Sequence, residues 1–183
     1  YLENLIGKDQ STWTDGQMQI SYYCYRAVSE ENLAYLLSRP HSLELRCGDV
    51  TLHIAHASDA FIADCELKEW LPAHITKRYH NRVITAESIK TDIQDYYDHD
   101  SRFQQIFAEL ESGIYIFGHS HVQWNYRSED GKKILVNPGS CGLPLDGITG
   151  SLPYTIIDID DAGHVSVKER RIPYDVEEYI KVL

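Results

Sequence analysis

The chain has 183 residues, 43% apolar and 25% charged, the make-up of an ordinary globular protein, and is expected to form one domain over 1–183. No stretch approaches the roughly 20 consecutive apolar residues that span a bilayer, which excludes a transmembrane helix, and residues 1–20 carry no secretory pattern. The formal net charge of −11 repels a phosphate backbone, so a nucleic-acid polymer is excluded as the expected partner; a small phosphorylated substrate is not, because bound metal and local charge override net charge at a site.

Taken in chain order, residues 1–27 are mixed, with Trp13, Tyr22, Tyr23 and Tyr25 as bulky side chains and a turn at Asp15-Gly16. Ser29 caps a helix that places Leu33, Leu36 and Leu37 on one face and ends before Pro40. Leu43 and Leu45 alternate with Glu44 and Arg46, Gly48-Asp49 turns the chain, and Leu52, Ile54 and Ala55 form the return strand, which runs into His56. Residues 59–112 are expected to be a helical insert, a possible cap, with Thr85 capping a helix through Ile89 and Ile93 and Ser101 capping another through Phe103, Phe107 and Leu110. Gly113 stops that helix, and the apolar run Ile114-Tyr115-Ile116-Phe117 fits a strand buried on both faces.

The remainder is β-rich. Gln123–Arg127 and Lys133–Val136 form a hairpin about Asp130-Gly131, and a Gly/Pro-rich loop runs from Asn137 to about Pro153. Tyr154–Ile159 and Val165–Arg171 form a second hairpin, and a short helix spans Asp175 to Val182. The four cysteines, Cys24, Cys47, Cys65 and Cys141, are scattered with no C-x-x-C pair, so reduced thiols in a cytoplasmic setting are expected.

Nine histidines are many for this length, and their positions matter more than their number. His119 and His121 stand two apart at the mouth of an apolar strand, behind Gly118, which tolerates an unusual backbone angle. If the strand period continues, both rings point the same way and can ligate zinc or a transition metal. A bare H-x-H also fits two surface histidines in a turn. His56 follows a strand in the same manner, with small Ala57 and Ser58 behind it. Val136-Asn137-Pro138-Gly139-Ser140 reads on its own as a plain strand and turn.

Together these pieces form a pattern: a strand ending in His56 and a small residue, an insert, a strand leading to Gly118-His119-Ser120-His121, and then Ile134-Leu135-Val136-Asn137-Pro138-Gly139-Ser140. That pattern resembles the calcineurin-like metallophosphoesterase superfamily, in particular its small bacterial and archaeal branch. The tail Arg171-Ile172-Pro173-Tyr174-Asp175-Val176 extends the resemblance from about residue 43 to the end. The resemblance implies an α/β fold of four layers, two β-sheets packed face to face with helices outside. It implies two divalent metal ions (Mn, Fe, Zn, Ni or Co), with His56 and His119 on one and His121 on the other. It also implies hydrolysis of a phosphomonoester or phosphodiester by a metal-activated hydroxide. Members of the superfamily complete the site with an early D-x-H, a G-D and a G-N-H segment; residues 1–42 contain none of them, and Gly48-Asp49 reads as a hairpin turn. The chain is therefore expected to be the C-terminal part of such a fold, lacking the N-terminal βαβ region, with no catalytic residue of its own and negligible turnover by itself.

Further features stay open. Lys68, His74, Lys77, Arg78, His80 and Arg82 form a basic patch in the insert that fits phosphate recognition or a solvated helix face. Tyr96 and Tyr97 fit base stacking or core packing. The alternative function is a non-catalytic, phosphoesterase-like protein-binding module, and a third reading is one structural zinc on the three histidines plus Cys141. The sequence specifies neither substrate-binding residues nor an oligomeric state.

Overall fold

The computed structural model describes residues 23–57, 86–119, 121–142, 144, 146, 148 and 150–181. The chain divides into two units, Tyr1–Pro40 and His41–Leu183. In the first, helix α1 (Glu30–Leu37) starts where expected: Ser29 has extended backbone and its hydroxyl accepts from Asn32 N at 3.2 Å, satisfying one free N–H of the first turn.

The second unit is built on a five-stranded sheet in the order β1-β2-β3-β5-β4, from β1 (Ser42–Cys47), β2 (Val50–Ala55), β3 (Gly113–Ile116), β4 (Gln123–Arg127) and β5 (Lys133–Pro138). β1 and β2 form the expected antiparallel hairpin, β2, β3 and β5 run parallel, and β4 returns antiparallel to β5. A separate antiparallel pair, β6 (Ser151–Ile159) and β7 (Val165–Pro173), forms the second sheet. Helices α2 (Ala86–His99) and α3 (Ser101–Glu109) lie before β3, and α4 (Val176–Ile180) follows β7. Thr85 and the basic patch at 68–82 lie outside the described residues.

Burial on both faces of β3 explains its unbroken apolar run, because alternate residues enter different cores. Ile114 joins Ile134 and Val136, against which Leu52, Ile157, Ile159, Val165 and Val167 pack, so this core lies between the two sheets. Tyr115 points the other way, into Leu135, Tyr126, Trp124 and Phe117, where Ile93 and Tyr97 of α2 and Phe103 and Phe107 of α3 cover the sheet. The described part of this unit is thus helix, sheet and sheet in succession, the α/β sheet-on-sheet architecture with flanking helices that the resemblance implies. Tyr97 is 6% exposed and belongs to that core, which favours packing over stacking a base.

Several boundaries differ from expectation, three of them for a clear physical reason. Asp100, not Ser101, caps α3: its carboxylate accepts from Phe103 N at 2.6 Å and the serine becomes the first helical residue. The carboxylate is the stronger acceptor and carries the charge favoured at a helix N-terminus. β3 begins one residue early, because Gly113 N donates to Lys132 O at 2.9 Å. The long loop ends at Gly150, since β6 starts at Ser151 and includes Pro153 opposite Arg171.

Side chains of β4 join it to the second sheet. Gln123 Nε2 donates to Tyr154 O at 2.7 Å and Arg170 O at 3.4 Å, Asn125 donates to Glu169 at 2.9 Å, and Arg127 donates to Val165 O at 3.1 Å. Alternation along a strand puts these three on one side. Lys90 of α2 also pairs with Glu169.

Candidate metal centre

Three parallel strands, β2, β3 and β5, end side by side, and parallel register decides which residues meet there. Ile54 stands opposite Ile116, and Ile116 opposite Val136. Two residues further along, Gly118 N donates to His56 O at 2.9 Å, and Phe117 N donates to Val136 O at 3.0 Å. His56, His119 and Asn137, far apart in sequence, thus converge at the carboxyl ends of the strands, where open α/β sheets bind ligands.

His56 Nε2 lies 3.1 Å from His119 Nδ1, with the rings at 86° to one another. Two nitrogens about 2.05 Å from a single zinc-sized ion and subtending about 100° at it stand about 3.1 Å apart, so the pair fits one divalent ion as two of its ligands. Without an ion, the same distance suits a hydrogen bond in which one ring donates to the other. His56 is exposed and His119 partly buried, so the pair faces outward from the strand ends.

The backbone of the Gly-His-Ser-His segment departs from the expected geometry. The strand stops at Ile116, so its two-residue period does not extend to the histidines. Gly118 takes no positive φ; His119 and His121 do, at 67° and 60°. Left-handed backbone at a residue with a Cβ costs roughly 1–2 kcal/mol and persists only when its surroundings impose it. Among the described residues no three His, Cys, Asp or Glu side chains gather as a metal-holding group. His56 and His119 are brought together; His121 and Cys141 do not join them in such a group, so a single zinc on three histidines and that thiol has no support.

Asn137 carries a role that its turn-forming character does not reveal. It ends the apolar run of β5, is fully buried, and its Nδ2 donates to Gly118 O at 2.9 Å while its Oδ1 accepts from Gly139 N at 3.0 Å. A polar residue closing a buried strand must find partners there, and that is the signal the sequence offers. Gly139, at φ 83°, has no room for a side chain: a Cβ would stand 2.6 Å from Pro153 Cγ. The far part of the same loop is fastened by Asp146, 3% exposed, which accepts from Arg171 Nη1 at 2.6 Å and from Ile148 N at 3.1 Å. Arg171 also donates to Ser151 Oγ at 2.8 Å and to Ser151 O at 3.0 Å.

His53, absent from the expected site, stacks on Tyr115 with ring centroids 4.6 Å apart. Its Nε2 is buried without a partner among the described residues, and its Nδ1 lies 3.6 Å from Glu44. Burial, with Glu111 and Glu44 adding to it, raises the Tyr115 hydroxyl above its ordinary value.

No family model matches the chain, and no curated protein matches it. Solved structures do match. A conserved uncharacterized protein from Streptococcus pneumoniae TIGR4, described as a predicted phosphoesterase, is 17% identical over 74% of this chain and 64% of its own, with a TM-score of 0.35. Vacuolar protein sorting 29 from Cryptosporidium parvum is 13% identical over 74% of this chain and 58% of its own, with a TM-score of 0.28. Vacuolar protein sorting 29 from Entamoeba histolytica, complexed with Zn²⁺, is 14% identical over 74% and 61%, with a TM-score of 0.34. The chain spans less than two thirds of the length of each of these structures.

Proposed function

We propose that the protein is a metal-dependent phosphoesterase acting on small phosphorylated substrates, as a phosphomonoesterase or phosphodiesterase. The observation that supports this most directly is the 3.1 Å approach of His56 Nε2 to His119 Nδ1 at adjoining strand ends. His56 and His119 hold one divalent ion in this proposal, and His121 serves a second. Mn, Fe, Zn, Ni and Co all accept imidazole. When bound, such ions supply Lewis acidity, lowering the pKa of water and withdrawing charge from a phosphate oxygen. The chain's own part is to present two neutral imidazole nitrogens at a fixed separation and at the surface, where a phosphate ester has access. Neutral imidazoles bring no charge to balance two cations, so the proposal requires carboxylate ligands beyond these histidines. A cytoplasmic setting belongs to the same proposal, supported by Cys24, Cys47 and Cys141 being free and exposed thiols.

The test is hydrolysis of bis-p-nitrophenyl phosphate and p-nitrophenyl phosphate with Mn²⁺ by the full-length natural protein, against His56→Ala, His119→Ala and His121→Ala. Loss of at least tenfold in each variant, with the fold retained by circular dichroism, is expected. Variants as active as the parent would sink the ligand assignment. Metal-independent capture of a protein partner without turnover would instead favour the binding-module alternative.

A further inference from the structure

We propose that Asn137 is a positioning residue that sets the backbone angle of His119 and, through it, the separation of the two metal-ligating nitrogens. The metal-binding role of His56 and His119 is the proposal made above; the positioning itself depends only on the geometry. Gly118 stands between two peptide planes. The plane on its N-terminal side is held by Gly118 N donating to His56 O at 2.9 Å. The plane on its C-terminal side is the Gly118–His119 peptide, and its carbonyl accepts from Asn137 Nδ2 at 2.9 Å. That second plane forms one side of the φ dihedral at His119, which is 67°. A left-handed angle at a histidine is unfavourable in isolation, so what imposes it must be rigid. Asn137 is rigid: it is fully buried in β5, and its own amide is oriented by Gly139 N at 3.0 Å.

One hydrogen-bonded chain therefore runs from His56 O to Gly118 N, from Gly118 O to Asn137, and from Asn137 to Gly139. It links the loops after β2, β3 and β5. With the chain intact, His119 leaves the sheet on a fixed course and Nδ1 meets Nε2 of His56. Without the Asn137 donor, the Gly118–His119 peptide loses the hold on its carbonyl, His119 relaxes to negative φ, and its ring shifts away from His56. Partners that orient metal ligands in this way change metal affinity by about 10–100-fold when removed.

The experiment uses the full-length natural protein and the variants Asn137→Asp and Asn137→Ala. The aspartate keeps the shape and the acceptor for Gly139 N but lacks the donor; the alanine lacks both. Two measurements are made: nuclear Overhauser effects between the His56 and His119 rings in metal-free protein, and Zn²⁺ affinity by calorimetry. Overhauser effects between Phe103 and Tyr126 report on the fold. In the parent, the His56–His119 effects are expected. In a folded variant they are expected to disappear, and Zn²⁺ affinity to fall by about 10–100-fold. Ring-to-ring effects or Zn²⁺ affinity unchanged in either folded variant overturn the proposal. So does loss of the fold in both, which would make Asn137 a residue of global stability. A parent that shows the ring-to-ring effects but binds no Zn²⁺ sinks the metal-binding reading, while their disappearance in a folded variant still establishes the positioning.

Discussion

Gly118 and Gly139 both flank the candidate site, yet they have opposite reasons for being glycine. A Cβ on Gly118 would meet only His56 O, at 3.6 Å, an ordinary contact, and its φ is not left-handed. Gly118→Ala is therefore expected to shift stability by less than about 1 kcal/mol. Gly139→Ala meets Pro153 Cγ at 2.6 Å and a φ of 83°, and is expected to cost roughly 2–3 kcal/mol. Denaturant midpoints of the two variants check the contrast; equal losses would refute the backbone assignment. Tyr115 and Tyr126 supply a pH prediction. Burial raises both hydroxyls above the ordinary 10.0, with Gln104 lowering Tyr126 in partial opposition. A raised folded value means that the unfolded chain releases its protons first. The contribution to stability is then intact below about pH 10 and is lost as pH rises through the folded values. Tyrosinate absorbance and chemical denaturation followed above about pH 10 should show late ionisation together with falling stability.

At the scale of elements, helix α3 and the loop before β6 each depend on one carboxylate. Asp100→Ala removes the acceptor for Phe103 N and is expected to cost about 1 kcal/mol. Asp146→Ala leaves the Arg171 guanidinium partly buried without its carboxylate and is expected to cost about 3 kcal/mol. Thermal melts of both variants test that order, and a larger loss from Asp100→Ala would reverse it. Most elements are legible in the sequence because they obey local rules: Ser29 before a leucine face, alternation at Leu43 and Leu45, the turns at Gly48 and Gly131. Where two caps adjoin, as at Asp100 and Ser101, local rules do not choose between them. Proline removes a donor, which favours a loop at Pro153, whereas β6 carries it opposite Arg171. The apolar run of β3 reveals a strand buried on both faces, but not that Ile114 faces the second sheet and Tyr115 the helices.

For the whole molecule, a net charge of −11 sets what the surface attracts. Labelled duplex DNA is expected to show no salt-dependent binding in fluorescence anisotropy, and a measurable affinity falling with salt would contradict this. Among the described residues no helix is long and apolar enough to cross a membrane. The sequence by itself determined most strands, helices and turns, because hydrophobic period and turn chemistry are local properties of the chain, whereas the class of fold followed from the resemblance that its motifs carry. It also carried the Gly118-His119-Ser120-His121 and Asn137-Pro138-Gly139-Ser140 motifs as separate signals. Only the tertiary structure decided that His56 and His119 meet at 3.1 Å, that the left-handed angles fall on the histidines and not on Gly118, and that Asn137 joins the loops between them. Those outcomes depend on the parallel register of β2, β3 and β5, a relation between strands separated by tens of residues, and no local pattern encodes such a relation.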